Sequence, residues 1–304
     1  MTLPRTAVVH LVWRAAGMAP FETFLGSYER HEAGAEHALV LLYNGFAGDA
    51  QLAPFRERAA DLGAREIVLD EPCLDLCAYR QVVDRLAHER VCLLNSYSEL
   101  RGPRWLALLE APLAGGRAGA AGATGSYASH LEYGLFQLGV RSRFADAFES
   151  RRAAREVMHE LSGSRQPGAV EHWLYALTVV LRQRRGSLRF PAPHLRTNGL
   201  LIDRARFAEL CDGALATKWE THQIESGPRS ITARLRALGR PPVVVDRDGI
   251  AREVPEWHLG DVFRQADQTG LLISDNQTNS YAGADPRHRA VLSATAWGPW
   301  SRPG

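Results

Sequence analysis

The chain has 304 residues, and its 36 basic and 34 acidic side chains leave a formal net charge of +2. This near balance gives no electrostatic reason to expect nucleic acid or a strongly anionic membrane as a partner. Apolar residues make up 45% of the chain and charged residues 23%, which is typical of a globular protein with a sizeable buried core.

Short apolar runs alternate with amphipathic stretches in the first third of the chain. The runs are aliphatic or β-branched and stop at polar residues, which predicts buried parallel strands at residues 6–13, 37–43, 65–69 and 90–94. The stretches between them have helical spacing, at residues 21–31, 52–62 and 76–88. Such repeated units predict an α/β fold with a mostly parallel central sheet and helices on both faces.

Polar or aromatic residues follow each predicted strand. They are Trp13 and Arg14, Tyr43 and Asn44, Asp70, and the run Asn95, Ser96, Tyr97, Ser98 and Glu99. Ligands of parallel sheets bind at the carboxyl ends of the strands, so these residues are candidates for a binding crevice. Loops are polar in general, so each residue alone also fits an ordinary loop.

The middle of the chain begins with a glycine-rich segment, residues 114–126. It lacks the lysine of a P-loop and the spacing of a dinucleotide fingerprint, which favours a close-packed strand and turn. Helical patterns are predicted at residues 103–113, 129–139, 146–162 and 170–185. The last of these has an apolar stripe of Val170, Trp173, Leu174, Leu177 and Leu181. A helix at 230–238 and a strand at 242–245 are predicted further on.

Cysteine usage and hydropathy indicate the compartment. Four cysteines, Cys73, Cys77, Cys92 and Cys211, are too few for a disulfide scaffold and lack a second paired cluster of the zinc-binding kind. No apolar stretch approaches the ~20 residues of a transmembrane span, and the first residues lack a signal-peptide pattern. We therefore expect a cytoplasmic protein without a transmembrane segment. The sequence indicates no oligomeric state.

The order of these elements resembles the GT-A class of nucleotide-sugar-dependent glycosyltransferases, in particular family-2-like members. The resemblance covers residues 7–246. It is carried by the strand and helix alternation, the polar run after the fourth strand, the glycine-rich strand, the segment RTNGLLIDRARF at 196–207, a carboxylate segment, and the helix leading to GRPPVVVD at 239–246. It implies one GT-A-like domain over residues 1–304, with a nucleotide-sugar-binding half at about 1–130 and an acceptor half at 131–304 that ends in a lid-like tail.

The resemblance implies transfer of a sugar from a nucleotide donor to a hydroxyl acceptor, with inversion. Glu225 is then the first candidate for the catalytic base and Glu220 the second, although both would also fit a solvated charged surface. Arg196 would pair with a phosphate and Asn198 with a sugar hydroxyl, or both would order their loop. The candidate donor-binding residues are Trp13, Arg14, Asn44, Asp70, Asn95, Ser96, Ser98, Arg196 and Asn198.

The chain departs from the family at the metal site. The family's Asp-x-Asp motif after the fourth strand holds the divalent cation, whereas this chain has Asn95 to Glu99, and neutral side chains are poor ligands for Mg²⁺ or Mn²⁺. Glu99 and His258 are the candidate ligands that remain. The alternatives are that Arg14 and Arg196 neutralise the diphosphate, or that catalysis has been lost.

Two other functions stay open on the sequence. A sugar-phosphate nucleotidyltransferase would carry a glycine-rich signature with a basic residue close behind the first strand, and Arg14-Ala15-Ala16-Gly17 matches it only faintly. A non-catalytic binding or scaffold protein of the same fold would explain the missing Asp-x-Asp.

Overall fold

The structure is a computed structural model that describes residues 3–140, 144–163, 168–184, 186–213 and 215–304. The strands in these ranges are β1 (Thr6–Trp13), β2 (His37–Asn44), β3 (Arg65–Val68), β4 (Arg90–Leu94), β5 (Glu99–Leu100), β6 (Ala120–Gly122), β7 (Gly125–Ser126), β8 (His194–Leu195), β9 (Leu200–Asp203), β10 (Val243–Val245), β11 (Ala251–Arg252) and β12 (Ile273–Ser274).

The helices in the same ranges are α1 (Met18–Arg30), α2 (Asp49–Ala59), α3 (Asp75–Val83), α4 (Trp105–Ala114), α5 (His130–Gln137), α6 (Arg151–Ser162), α7 (Ala169–Gln183), α8 (Arg204–Leu210), α9 (Lys218–Glu225), α10 (Ile231–Ala237), α11 (Asn276–Ala282) and α12 (Pro286–Trp297). A 3₁₀ helix, Val254–Leu259, lies between β11 and β12. None of the described helices is both long and apolar enough to cross a membrane.

One sheet of eight described strands forms the centre, in the order β11-β10-β6-β9-β4-β1-β2-β3. β1 pairs in parallel with β2 and β4, β2 with β3, and β10 with β6. β9 runs antiparallel to both of its neighbours, β4 and β6, and β11 runs antiparallel to β10. The predicted α/β fold with a mostly parallel central sheet is confirmed.

Each face of the sheet has its own hydrophobic core, because successive strand residues point to opposite faces. On one face, β1 contributes Val9 and Leu11, which pack with α3, α8 and α10. On the other face, β1 contributes Val8 and Val12, which pack with α1, α2 and α4. This is why the predicted strands were uniformly apolar: a strand covered on both sides shows no alternation.

The antiparallel strand β9 brings the segment before it to the edge where β4 ends. Leu93 of β4 lies opposite Leu200 of β9, so residues 196–199 reach the same edge as residues 95–98. Gly199 makes the turn into β9 with φ +73°, and a Cβ there would come within 2.7 Å of the Ala123 side chain. Only glycine fits both requirements.

The predicted elements agree with the structure except in four places. The helix expected at 146–162 begins at Arg151. The helix expected at 76–88 ends at Val83. Glu225 is the last residue of α9 and does not lie in the loop before α10. The apolar stripe on α7 faces outward, and its expected terminal residue, Arg185, lies outside the described residues. The helical period identified an apolar face correctly, but periodicity alone does not say whether another element covers it.

His10, in the middle of β1, is fully buried and lies against Phe24, with ring centroids 3.6 Å apart. A histidine inside an apolar strand is expected to be a core residue whose ring nitrogens have hydrogen-bond partners, but neither ring nitrogen of His10 has one in the described structure, so that expectation is wrong. Burial lowers the pKa of His10 from 6.5 to about 3, because the charged ring would lose its hydration.

We expect His10→Leu to reduce the sensitivity of the fold to acid. The folded state resists protonation of His10, so the titration of His10 costs no stability above pH 6.5 and a growing amount as the pH falls towards about 3. At about pH 4.5 this amounts to about 2–3 kcal/mol. Denaturant unfolding at neutral and acidic pH measures it: the acid-induced loss should be smaller in the variant by that amount. An equal loss in both proteins would contradict the assignment.

Candidate active site

A cavity of about 510 Å³ opens at the edge where β1 and β4 end and β9 begins. Ligand crevices of parallel sheets lie at this edge. Among the predicted site residues, those that line it are Trp13, Asn95, Ser96, Arg196, Asn198 and Glu225. Trp13, with 45% of its surface exposed, is available for a planar group to stack on. Tyr43, the other aromatic candidate for that role, is fully buried in the core.

Glu225 reaches the cavity from the carboxyl end of α9 and is partly buried there. Burial, and to a smaller extent the nearby charge of Asp75, raise the pKa of its carboxyl, which is about 7 instead of the ordinary 4.5. Arg196 and a hydrogen bond from Thr197 act in the opposite direction but are weaker. A carboxyl with a pKa of about 7 exchanges its proton near neutral pH, as a general base must.

Asp75, the first residue of α3, presents a second carboxyl to the same cavity. Loss of hydration raises its pKa. Asn44, at the end of β2, positions this helix start: its side-chain amide donates to the carbonyl of Cys73 at 2.7 Å and accepts from the Cys73 amide at 3.2 Å. Asn44 itself is buried and does not line the cavity. Its role here is therefore structural rather than the predicted contact with a donor.

Two arginines form a cationic side of the cavity. The guanidinium groups of Arg196 and Arg264 lie 4.3 Å and 5.0 Å from the centroid of the Phe263 ring. Arg196 pairs with the fully buried Asp275 at 2.7 Å, and this carboxylate also caps α11. Arg264 donates to the neutral amide oxygen of Gln277, at 3.2 Å. Among the described residues, Asp275 is the one carboxylate within ion-pair distance of either arginine.

Arg264 is held in place at some cost. Its backbone is left-handed, with φ +49°, and its amide donates to the Gln268 side chain at 3.0 Å. Burial lowers the pKa of its guanidinium to about 10, and Arg196 lowers it further. It is still charged at neutral pH. A strained, buried cation facing a cavity is typical of a binding site for an anion.

A hydrogen-bonded network fixes the polar run after β4. The Asn198 side chain accepts from the Asn95 amide at 3.2 Å and from the Ser98 hydroxyl at 2.5 Å, and donates to the Ser274 carbonyl at 3.2 Å. Ser96 accepts from the Trp13 amide at 3.1 Å. These contacts join the segments at β4, β9 and β12, and they leave Asn95, Ser96, Trp13 and the second N–H of the Asn198 amide for ligand contacts.

Three histidines also line the cavity: His130, His194 and His222. The rings of His130 and His222 are 4.7 Å apart, edge to face. Burial lowers the pKa of all three, to about 4 for His194 and His222. They are neutral at neutral pH, so the positive charge of the cavity comes from the two arginines.

Other predicted residues lie away from the cavity. Glu220 accepts from the amide and hydroxyl of Thr217, at 2.8 Å and 2.9 Å, and so caps α9; this also lowers its pKa. Arg14 and Asp70 are exposed outside the cavity lining. The structure therefore separates the two candidate bases: Glu225 faces the cavity and Glu220 stabilises the helix that carries it.

The predicted metal ligands do not fit a magnesium or manganese site. The Glu99 carboxylate accepts from Arg101 and Ser274, each at 3.2 Å, while His258 packs beside Trp300, with ring centroids 5.5 Å apart. Neither lines the cavity. Across the described ranges, no group of three or more His, Cys, Asp or Glu side chains is arranged to hold a metal ion.

Two charged residues that line the cavity were not among the candidates predicted from the sequence. Asp75 and Arg264 lie in segments without a motif, and only the fold brings them to the cavity. The capping role of Glu220 could be predicted from the sequence, since Thr217 and Glu220 have the spacing of a helix capping box. That motif alone would have favoured Glu225 over Glu220.

Comparisons with known proteins add the following. No protein-family model matches the chain, and no characterised protein matches its sequence. Similar solved structures include a mannosyltransferase, PcManGT from Pyrobaculum calidifontis, in complex with GDP-Man and Mn²⁺. It is 16% identical with a TM-score of 0.33, over 40% of this chain and 36% of that one.

Two further solved structures are similar over the same share of the chain. GalNAc-T7 with UDP, GalNAc and Mn²⁺ is 16% identical with a TM-score of 0.32, over 40% of this chain and 23% of that one. S. aureus TarS 1-349 in complex with UDP-GlcNAc is 11% identical with a TM-score of 0.31, over 39% and 33%. The aligned part thus spans about a third or less of these two chains. At such values the activity has to be argued from this chain's own residues.

Proposed function

We propose that this chain is an inverting glycosyltransferase that moves a sugar from a nucleotide-sugar donor to a hydroxyl acceptor. The observation that carries the proposal is that one cavity is lined both by Glu225, whose carboxyl has a pKa of about 7, and by two arginines, Arg196 and Arg264. Transfer needs both: a group that takes a proton from the acceptor and a group that receives the negative charge of the leaving diphosphate.

The bonds change as follows. The Glu225 carboxylate takes the proton of the acceptor hydroxyl while that oxygen forms a bond to the anomeric carbon. The bond from the anomeric carbon to the diphosphate oxygen breaks, and its electron pair leaves with the nucleoside diphosphate. Attack from the side opposite the leaving group inverts the anomeric centre. The neutral His130, which lines the cavity with Glu225, offers a hydrogen bond to a sugar hydroxyl without adding charge.

Arg196 and Arg264 are the groups that we assign to the diphosphate. Their planar guanidinium groups suit bidentate contacts with phosphate oxygens. Arg264 was not among the sequence candidates and completes the role proposed for Arg196. We assign Trp13 and the residues at the ends of β1 and β4 to binding of the nucleoside. This supports a donor half formed by the N-terminal strands.

A non-catalytic scaffold would gain nothing from the raised pKa of the Glu225 carboxyl. Keeping a carboxyl partly buried beside a second carboxyl destabilises the folded chain above its ordinary pKa, and a scaffold gains nothing from it. The absence of the Asp-x-Asp motif favoured the scaffold. In the proposed site, a second arginine, Arg264, takes the role of the cation that this motif would hold.

The proposal is tested by supplying a panel of nucleotide sugars and measuring the release of nucleoside diphosphate, with and without acceptors. Calorimetry with the nucleoside diphosphates alone reports binding separately from turnover. Absence of both binding and release for every donor, with or without manganese, would refute the proposal.

We expect transfer to persist in EDTA. In the proposed site the two arginines neutralise the diphosphate, and the candidate metal ligands Glu99 and His258 contact other residues outside the cavity. A chelator should therefore leave the rate largely unchanged. The measurement is the initial rate with EDTA and after adding back Mg²⁺ or Mn²⁺. A rate that collapses in EDTA and returns with Mn²⁺ would show that the arginines do not carry this role.

A further inference from the structure

A second cavity, of about 540 Å³, lies between α7 and α9 on the other side of Glu225. It shares three lining residues with the first cavity: His130, His222 and Glu225. The base must reach the acceptor from a side that the donor does not occupy. The second cavity offers that side, because Glu225 lies on the wall between the two.

The residues that line the second cavity favour a ligand that carries an anionic group next to an apolar group. Arg182 and Lys218, the only lysine of the chain, line it, and Glu225 is the only acidic residue among its described lining residues. Arg182 lies 5.7 Å from the centroid of the Trp219 ring. Tyr175 and Val179 add apolar surface. Two cations beside an aromatic platform are complementary to an anionic headgroup.

The apolar stripe of α7 continues from this cavity along the protein surface. Val170, Trp173, Leu174 and Leu181 are 73%, 50%, 52% and 53% exposed. The opposite face of α7 packs on α5: Ala176 is buried, and His172 Nε2 lies 3.1 Å from Gln137 Oε1 at the end of α5. Tyr175, Thr178 and Arg182 are spaced to lie on one side of the helix, between the stripe and the cavity. A molecule seated in the cavity can therefore extend along the stripe.

We propose that the second cavity and the α7 stripe form an acceptor site for an amphiphile. Its anionic head and attacking hydroxyl would lie between Arg182, Lys218 and Glu225, and its hydrocarbon chain would lie on the stripe. This inference rests on the proposed function for the role of Glu225. The binding site itself stands on its lining residues and can be measured without any sugar transfer.

The test compares three probes by calorimetry: octyl phosphate, which has charge and chain; glycerol phosphate, which has charge only; and octyl glucoside, which has chain only. We expect octyl phosphate to bind at least about tenfold more tightly than either of the others, because it alone makes both kinds of contact. The combined Arg182→Gln and Lys218→Gln variant should weaken octyl phosphate by about tenfold or more. Arg184→Gln, at the end of the same helix but outside the cavity lining, is the matched control and should change nothing.

The stripe is tested with Leu174→Gln combined with Leu181→Gln. Both residues are exposed, so the fold should be unaffected, and only the chain-bearing probes should bind more weakly. If donors are hydrolysed but octyl phosphate binding does not depend on Arg182 and Lys218, the acceptor site is wrong and the proposed function stands. If octyl phosphate binds as expected but no donor is used, the proposed function fails and the site remains. A dimer that the stripe variant dissociates would overturn the assignment of the stripe.

Discussion

Glu225→Gln is expected to lower kcat by about a thousandfold, within the range that a positioned general base contributes. Glutamine keeps the shape and hydrogen-bonding capacity of the side chain but takes up no proton. Donor binding should be nearly unchanged, because the arginines that we assign to the diphosphate remain. Single-turnover kinetics with a saturating donor, together with calorimetry of the nucleoside diphosphate, separates the two effects.

The same substitution should also stabilise the fold in alkaline solution. The raised pKa of Glu225 means that the folded state disfavours the carboxylate, so stability is lost as the pH rises from 4.5 to about 7. Removing the charge should restore about 1–3 kcal/mol above neutral pH and nothing well below pH 4.5. A purely structural Glu225 would give the stability gain without the loss of turnover.

Glu220→Gln is the matched control for this prediction. Glutamine can serve in a capping box as glutamate does, so helix α9 should remain intact and turnover should be retained. In the native protein, kcat/KM should rise with pH and level off above about 7, since the base is active only as the carboxylate. Activity that survives Glu225→Gln and fails in Glu220→Gln would show that the base is Glu220.

Arg264→Gln should weaken binding of the nucleoside diphosphate by about 10- to 100-fold, as expected for a lost charge-assisted contact with a phosphate. Arg264 is a cleaner choice than Arg196, whose removal would leave Asp275 buried without its partner and destabilise the fold. Removing Arg264 relieves repulsion between two cations, so the variant should be at least as stable as the native protein. Calorimetry in EDTA measures the affinity, and denaturant unfolding measures the stability.

The control for Arg264 is Arg289→Gln. Arg289 also lies over an aromatic ring, 5.5 Å from the centroid of Tyr281, and pairs with Asp267, but it does not line the cavity. Its substitution should leave diphosphate binding unchanged. Equal losses in the two variants would indicate a general effect of arginine removal and would contradict a specific phosphate contact at Arg264.

Much of the central sheet could be predicted from the sequence because it depends on local patterns. Strands covered on both faces are continuous apolar runs, and the residues that follow them must lie at one edge of the sheet. Trp13, Asn95 and Ser96 were found in this way. Arg196 and Glu225 were found by the resemblance.

The rest of the site depends on contacts between distant segments. Arg264 reaches the cavity because several of residues 261–268 adopt left-handed backbone conformations. No sequence motif predicts these conformations. Asp75 faces Glu225 because the Asn44 side chain holds Cys73 from another strand. The pKa of Glu225 follows from these neighbours and could not be predicted from its position in the chain.

The position of β9 has a consequence for how the chain folds. This strand, residues 200–203, lies between β4 and β6, which end at residues 94 and 122 and so 106 and 78 residues before it. During synthesis β6 stays unjoined to the sheet of β1 to β4 until β9 has left the ribosome, and loop closure over such distances is slow. We therefore expect that the two halves proposed from the sequence do not fold independently. A fragment ending near residue 130 should expose the unpaired edges of β4 and β6 and aggregate, whereas one that extends through β11 can complete the eight-stranded sheet.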